Sequence, residues 1–292
     1  MSDLPRRAAR KARWAYRRAT APARRLPGFL VLGAQRAGST SLFDDLCSHP
    51  GVVEPTHKEL HFFDQNWWRG VGWYRRFFPV ARDRVTGEAS PYYLFHPLAP
   101  ARVAATVPHA RLIALLRDPV ERAYSHYHLS RRYGHEELSF EEALDHEAER
   151  LAGEEEKIAA DPGYKSFSHR HHSYLARGLY AAQLERWFGY FPREQIHVVR
   201  AEDLFADPAG TYGQILSFLG LAPHELPRPA HRNKAEYAPM EKSTREHLTD
   251  FFREPNRRLY ELLGRDLRWG SRERAAATSP GGKKPAQKST SG

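Results

Sequence analysis

The sequence contains very little cysteine: Cys47 is the only one among its 292 residues. A single thiol excludes an intrachain disulfide and a cysteine-rich zinc site, and it is typical of proteins in a reducing compartment. The N-terminal arm also lacks an uninterrupted apolar run, so it predicts neither a secretory signal nor a membrane span. We therefore expect a cytoplasmic protein.

The middle of the chain lacks an excess of positive charge, although the whole chain carries +10 at pH 7. Residues 1–28 contain nine Lys or Arg and one acid, and residues 271–292 contain five and one. The two ends thus carry +12, which leaves about −2 for residues 29–270. Composition therefore gives little support to nucleic-acid binding by the folded body, and we expect no nucleic-acid partner.

The same pattern predicts the domain organisation: a basic arm at 1–28, one folded domain at 29–270 and a disordered tail at 271–292. The tail is rich in Gly, Pro, Ser and Lys, which is typical of disorder. The arm is rich in Arg and contains Trp14 and Tyr16. Two interpretations of the arm stay open: a solvated segment, or a peripheral contact with an anionic membrane or an acidic partner.

Short apolar runs alternate with longer amphipathic segments, which predicts an α/β fold with a central parallel sheet flanked by helices. We predict strands at residues 29–32, 111–116 and 195–199. We predict helices at residues 39–48, 139–157, 179–188 and 242–263, and one that begins at Pro119. Asp118 is expected to cap the helix that begins at Pro119, because Asp before Pro is a common helix start.

A strand, a turn with two glycines and a helix follow one another at residues 29–48, as in anion-binding loops. The turn consists of Gly33, Ala34, Gln35, Arg36, Ala37, Gly38, Ser39 and Thr40. Its spacing is that of a nucleotide triphosphatase loop, but Ser39 occupies the lysine position. We therefore predict a site for a single phosphate ester, with Arg36 as its cation. A strand–helix turn without a ligand is the alternative.

Five blocks of the sequence resemble the sulfotransferase family, closest to the branch of heparan sulfate 3-O- and N-sulfotransferases and its bacterial relatives. They are GAQRAGSTSL, HPGVVEPTHKELHFFD, GEASPYY, LIALLRDPVERAYSHY and FFREPNRRLYELLGRDLRW. They occur in family order and extend over about residues 29–269. The resemblance implies a single α/β domain with the fold of P-loop nucleotide kinases, and 3′-phosphoadenosine 5′-phosphosulfate as the donor.

The resemblance also implies how the donor is bound. The loop at 33–40 matches the 5′-phosphosulfate loop, with Arg36 at the position of the family's catalytic lysine. Arg117 and Ser125, in RDPVERAYS, match the pair that holds the 3′-phosphate. Two further donor-binding candidates, in a loop that matches only loosely, are Asn233 and Lys234.

For the acceptor side, the resemblance identifies Glu59 with the family's catalytic base, and His61 and Asp64 with neighbours at the acceptor. The chemistry implied is in-line displacement at sulfur, which requires no metal. A base of this kind needs a pKa raised by partial burial. The side chains expected to supply that burial are Phe62, Phe63 and Trp67.

Three features depart from the family pattern. Arg36 keeps the charge of the family lysine but cannot exchange a proton near neutral pH, so its role should be electrostatic. Ala89 follows Glu88 where the heparan enzymes have a second lysine, which predicts a different mode of acceptor binding. A cysteine pair of the 3-O-enzymes is missing near residues 233–240.

Other segments have both a functional and a structural interpretation. His169 to His172 resembles a metal site, although no carboxylate or cysteine spacing supports one. His126 and His128 either face the acceptor or pack in the interior. The aromatic run from Trp67 to Phe78 is either a carbohydrate-stacking wall or core, and the acidic stretch at 136–156 is expected to be a solvated face.

We therefore predict transfer of a sulfuryl group to a hydroxyl or amine of a saccharide, lipid or metabolite. A P-loop small-molecule or nucleotide kinase is the enzymatic alternative, and Ser39 argues against it. A non-catalytic nucleotide-binding scaffold recruited to membranes by the basic arm is the other alternative.

Overall fold

Four parallel strands form the sheet in a computed structural model that describes residues 4–80, 83–226 and 237–270. They are β1 (Phe29–Gly33), β2 (Gly87–Ala89), β3 (Arg111–Leu116) and β4 (Ile196–Arg200). Their order is β2-β1-β3-β4. The predicted α/β fold with a parallel sheet is confirmed. Strand β2 was not predicted, because three residues around a glutamate carry no strand pattern.

Helices flank this sheet throughout the described part of the chain. They are α1 (Leu4–Ala19), α2 (Ser39–Ser48), α3 (Gly70–Arg75), α4 (Ala99–Thr106), α5 (Pro119–Arg132), α6 (Phe140–Asp145), α7 (Glu147–Leu151), α8 (Glu154–Ala160), α9 (Phe167–His171), α10 (Tyr180–Phe188), α11 (Ala201–Ala206), α12 (Pro208–Leu219) and α13 (Lys242–Leu263). None of these helices is both long and apolar enough to cross a membrane.

The two central strands, β1 and β3, are buried almost completely. Every residue of β1 is buried, and so is every residue of β3 after Arg111. Such continuous apolar strands are expected where helices cover both faces of a parallel sheet. All four strands run the same way, so their carboxyl ends lie at one edge of the sheet. At this edge are the turn after β1, Ser90 after β2 and Arg117 after β3.

Most predicted elements are confirmed to within one residue. Helices α2 and α13 have the predicted bounds, and the Asp118 carboxylate caps α5 by accepting the Val120 N–H at 2.9 Å. Helix α10 and strand β4 each begin one residue later than predicted. The reason at β4 is that Gln195 ends a short 3-10 turn, where its side chain donates to two carbonyl groups.

The predicted helix at 139–157 is wrong, because the chain forms the three short helices α6, α7 and α8 there. Ser139 and Glu142 form a reciprocal capping box that starts α6. Gly153 has a φ of 74° between α7 and α8, a left-handed conformation that a continuing helix cannot include. The side-chain cap and the glycine thus divide the stretch into separate turns.

Most acidic residues of this stretch are exposed, as we expected for a solvated face, but three are not. Glu136, Glu147 and Glu154 are all buried. The Glu147 carboxylate accepts the backbone N–H groups of Leu175 and Ala176 at 2.7 and 2.8 Å. These carboxylates therefore attach the short helices to the rest of the domain, since charge-assisted hydrogen bonds compensate for their burial.

Residues 4–19 of the basic N-terminal arm form helix α1, and the arm contacts the body. The Trp14 ring packs edge-on against Phe77 with the ring centroids 5.3 Å apart. Arg24 is buried, and its Nη1 donates to the Phe78 carbonyl at 2.7 Å. The boundary at residue 28 stays a prediction, and the predicted tail at 271–292 lies outside the described residues.

Gly87 supplies a test of the packing between β1 and β2. A Cβ at Gly87 would lie 2.2 Å from the buried Phe29 ring, so Gly87→Ala should lower the free energy of unfolding by about 1–3 kcal/mol. Gly72→Ala in α3 is the control, because its Cβ would meet nothing within 4 Å. We expect that control to be neutral or stabilising by up to about 1 kcal/mol. Denaturant unfolding measures both, and equal stabilities of Gly87→Ala and wild type would contradict the packing described.

Candidate functional site

The turn after β1 presents backbone groups to one side of the sheet edge. Gly33 and Gly38 have φ values of 118° and 99°, and a Cβ at Gly33 would lie 2.3 Å from the Pro91 carbonyl oxygen. Helix α2 begins at Ser39, so its first N–H groups have no partner within the helix. No side-chain cap accepts them either, and they can therefore bind an anion. This geometry fits the phosphate loop predicted at residues 33–40.

Arg36 connects this loop to α5. Its Nε donates to Ser125 Oγ at 2.9 Å, and Arg117 Nη1 donates to the Arg36 carbonyl at 3.0 Å. Burial lowers the pKa of Arg36, and the neighbouring charge of Arg117 lowers it further. A guanidinium nevertheless stays protonated in proteins, so positive charge accumulates here. The structure thus brings together two regions that are about 90 residues apart in the sequence.

A buried arginine that we did not predict holds the other side of the loop. Arg177 Nη1 donates to Gln35 Oε1 at 2.6 Å, and Arg177 Nε donates to Ser173 Oγ at 2.7 Å. Its Nη2 donates to the carbonyl of Arg170 at 2.7 Å. Burial lowers the pKa of Arg177 to about 9. No motif surrounds Arg177, so the sequence carries no signal for this contact.

Glu59, His61 and Asp64 form one cluster. His61 Nδ1 lies 2.7 Å from Asp64 Oδ2, and His61 Nε2 lies 3.6 Å from Glu59 Oε2. The Asp64 side chain is fully buried, whereas that of Glu59 is 43% exposed. Glu59 and His61 have φ values of 57° and 49°, a strained conformation for residues with a Cβ. Backbone strain of this kind is concentrated at functional sites.

His61 carries a positive charge at neutral pH. Burial lowers the pKa of His61, but the charge and hydrogen bond of Asp64 and the hydrogen bond of Glu59 raise it to about 9 overall. Both ring nitrogens therefore hold protons. His61 can donate to both carboxylates and cannot accept a proton.

The predicted rise in the pKa of Glu59 is wrong. Burial raises this pKa, but the hydrogen bond and charge of His61, with the charges of Lys58 and Arg170, lower it below its ordinary value. The aromatic side chains expected to desolvate Glu59 turn inward instead: Phe62 and Phe63 are fully buried. Cations and not rings therefore surround the carboxylate, which is ionised at neutral pH.

A buried carboxylate, Glu88 of β2, lies beneath this cluster. It accepts hydrogen bonds from Ser90 Oγ at 2.8 Å, from the Tyr93 hydroxyl at 2.6 Å and from the Tyr74 hydroxyl. Burial raises the pKa of Glu88, while its three hydroxyl donors lower it. The net direction is upward, as expected for a buried carboxyl group whose hydrogen-bond donors are neutral hydroxyls.

The hydroxyl groups that Glu88 orients hold the backbone of the segment that carries Glu59 and His61. Ser90 Oγ accepts the His61 N–H at 3.3 Å, and the Tyr93 hydroxyl accepts the Phe62 N–H at 2.8 Å. Each hydroxyl proton points to the carboxylate, so each oxygen is left to accept an amide. Glu88 therefore stabilises the strained backbone on which Glu59 and His61 are carried.

The remaining histidines have packing contacts. His126 is buried against the Tyr174 ring, and neither of its ring nitrogens has a hydrogen-bond partner among the described residues. His128 stacks on Tyr237, and His169 Nδ1 lies 2.7 Å from the Tyr92 hydroxyl. Within the described ranges, no three His, Cys, Asp or Glu side chains are arranged to hold a metal ion.

The aromatic run divides into core and surface. Tyr74, Phe77 and Phe78 are buried, and the Trp73 ring lies 4.7 Å from that of Phe77. Trp68 is 59% exposed. The core interpretation thus holds for most of the run. The two loosely matched donor candidates, Asn233 and Lys234, lie outside the described residues.

Asp64→Asn tests the charge of His61. Without the Asp64 carboxylate, only Glu59 opposes the effect of burial, and we expect the pKa of His61 to fall from about 9 toward its ordinary value. Because the folded-state pKa of His61 is raised, wild type should lose stability as the pH rises from about 6.5 through 9, and the variant should not. NMR titration of the imidazole measures the pKa of His61, and unfolding at each pH measures the stability. Asp145→Asn, on the surface of α6, is the control, and an unchanged His61 pKa in Asp64→Asn would contradict the assignment.

Several known proteins are similar to this chain. A family model described as "Sulfotransferase domain" matches residues 26–251. The chain is 32% identical to the human bifunctional heparan sulfate N-deacetylase/N-sulfotransferase 3, over 82% of this chain and 30% of that protein. It is 31% identical to the human heparan sulfate glucosamine 3-O-sulfotransferase 6, over 85% and 75%. It is 28% identical to the membrane-associated sulfotransferase kil1 of Dictyostelium discoideum, over 84% and 66%.

A solved structure is also similar. The sulfotransferase from Alicyclobacillus acidocaldarius is 35% identical, with a TM-score of 0.66 over 83% of this chain and 98% of that one. This likeness confirms the predicted α/β fold, which is similar to that of P-loop kinases.

Proposed function

The chain belongs to the sulfotransferase family, and on this basis we propose that it transfers a sulfuryl group from 3′-phosphoadenosine 5′-phosphosulfate to a hydroxyl or amine. The observation that carries the proposal is the hydrogen bond from Arg36 to Ser125. It joins an anion-binding loop to the residues that match the family's 3′-phosphate site. A donor with phosphate groups at both its 5′ and 3′ positions needs two such regions side by side.

The residues present fit this donor. The unpartnered N–H groups at the start of α2 suit the 5′ end, where Arg36 adds positive charge. Arg117 offers a planar fork that can bind a phosphate with two hydrogen bonds, and Ser125 adds a hydroxyl. Ser39 is buried at the position where triphosphate-binding loops have lysine, and this supports the donor over ATP.

Transfer proceeds by in-line displacement. The acceptor oxygen or nitrogen forms a bond to sulfur while the bond from sulfur to the 5′-phosphate oxygen breaks, and the electron pair leaves with the phosphate. Arg36 and the loop amides stabilise the charge that develops there. Glu59 takes the acceptor proton, because it is ionised and exposed, whereas His61 already holds two protons. Asp64 keeps His61 charged and oriented.

The acceptor that we propose is a saccharide, as in the names of the heparan sulfate relatives, with lipids and small metabolites as further classes to test. Lys58 and Arg170 act electrostatically on Glu59. Their positive charge beside the proposed base favours an acceptor that carries negative charge near its reactive group.

Glu59→Gln tests the proposed base. We expect kcat to fall about 10²- to 10⁴-fold, because the amide cannot take the acceptor proton. The affinity for adenosine 3′,5′-bisphosphate should stay within twofold, since Glu59 does not bind the donor in this scheme. The measurement is transfer of labelled sulfate to glycan, lipid and small-metabolite fractions, with bisphosphate binding followed by calorimetry.

Glu54→Gln is the matched control, because it makes the same change at an exposed site in the same segment. We expect wild-type turnover from it. Near-wild-type turnover of Glu59→Gln would remove Glu59 as the base. Bisphosphate binding without incorporation into any fraction would favour the non-catalytic scaffold.

A further inference from the structure

Helix α1 is a strongly basic element that the proposed transfer reaction does not use. Its sequence, LPRRAARKARWAYRRA, contains seven Lys or Arg and no Asp or Glu. Lys11, Arg13 and Arg18 are exposed. Because the domain at 29–270 carries about −2, this positive charge belongs to the helix and its flanking residues and not to the body.

Two half-buried side chains attach α1 to the body. Trp14 packs on Phe77, as described above, and Arg17 Nη1 donates to the Arg76 carbonyl at 2.5 Å. Their sequence neighbours Arg13, Ala15, Tyr16 and Arg18 are exposed. The helix therefore lies on the surface with most of its circumference uncovered.

One exposed face of α1 is apolar. Ala8, Ala12, Ala15 and Ala19 follow helical spacing, so they lie on one face, opposite Arg17. All four are exposed, and Tyr16 beside them is 61% exposed. A helix with an apolar face and cationic flanks is typical of segments that lie in the plane of a membrane interface.

We propose that α1 docks this chain on an anionic lipid bilayer. The alanine face and Tyr16 lie at the level of the headgroups, while Lys11, Arg13 and Arg18 extend toward the lipid phosphates and carboxylates. Nucleic acid is the other common polyanion. It would be bound through the cations alone, which would leave the apolar face without a function.

The surface beside α1 also contains side chains that are favoured at membrane interfaces. Trp68 is exposed, and the Arg69 guanidinium lies over its ring at 4.6 Å and over the Trp73 ring at 5.1 Å. Trp73 packs on Phe77, which is also the partner of Trp14. Tryptophan and arginine side chains are favoured at membrane interfaces, because each has an apolar body and a polar end.

The attachment point of α1 is close in sequence to the proposed base. The Trp14 ring centroid lies 6.2 Å from that of His57, and His57 precedes Glu59 by two residues. Docking through α1 would therefore place the segment that carries Glu59 next to the docked helix. The docking itself does not depend on the proposed transfer, because it involves none of the site residues.

The test is cosedimentation of the full chain with vesicles at 150 mM NaCl. One set contains phosphatidylcholine and phosphatidylserine at 7:3, and the other contains phosphatidylcholine alone. We expect partition to be at least tenfold greater on the anionic vesicles and to decrease as salt rises. The triple variant Lys11→Gln, Arg13→Gln, Arg18→Gln should lose about 100-fold, because each cation near an anionic surface contributes roughly fivefold.

A second triple variant controls for net charge. Lys242→Gln, Arg253→Gln and Arg257→Gln remove the same charge from exposed positions on α13. We expect this variant to keep its partition within threefold of wild type. Circular dichroism and thermal unfolding confirm that both variants are folded.

Tyr16→Ser separates lipid from nucleic acid. It should lower vesicle partition severalfold and leave the affinity for a 20-base-pair DNA duplex unchanged. Equal partition on the two vesicle types, or wild-type partition of the α1 variant, would overturn the proposal. So would duplex binding that is tighter than vesicle binding and is lost in the α1 variant.

Discussion

The hydrogen bond from Arg36 to Ser125 holds the two halves of the candidate site together. The loop follows β1 and the helix follows β3, and these strands are neighbours in a parallel sheet, so both begin at the same edge. Arg36 spans the gap, and the Arg117 side chain returns a hydrogen bond to its carbonyl. On the far side, Arg177 holds Gln35. The proposed donor side is thus organised by Arg36 within the loop and by Arg117 and Arg177 on its two sides.

The acceptor side depends on a carboxylate that is not part of the proposed chemistry. Glu88 orients the hydroxyl groups of Ser90 and Tyr93 so that they accept amides of the segment that carries Glu59. That segment includes two residues with positive φ, a conformation that the surrounding structure must stabilise. The result is an exposed Glu59 carboxylate beside a protonated His61. The proposed base is therefore kept ionised by charge, and burial does not make it more basic.

The parts of this architecture that could be predicted are those with local signals. Apolar runs, the Asp118 cap and the glycine spacing of the loop indicate strands, a helix start and an anion site without tertiary information. The contact between Arg177 and Gln35 joins residues 142 positions apart and has no such signal. The direction in which the pKa of Glu59 shifts depends on which neighbours face the carboxylate. In the sequence, aromatic side chains and cations are equally close to Glu59. At Gly153 a local helix-ending signal exists, but the polar composition around it suggested one continuous helix.

Calorimetric titration of adenosine 3′,5′-bisphosphate, adenosine 5′-monophosphate and ATP with magnesium tests the central claim most directly. If Arg117 and Ser125 form a second phosphate site, the bisphosphate should bind about 10²-fold more tightly than the monophosphate, since hydrogen bonds between charged groups are the strong ones. Arg117→Ala should remove most of that difference and leave monophosphate affinity within twofold. Equal affinities for the two adenosine phosphates, or tighter binding of ATP with magnesium, would contradict the account.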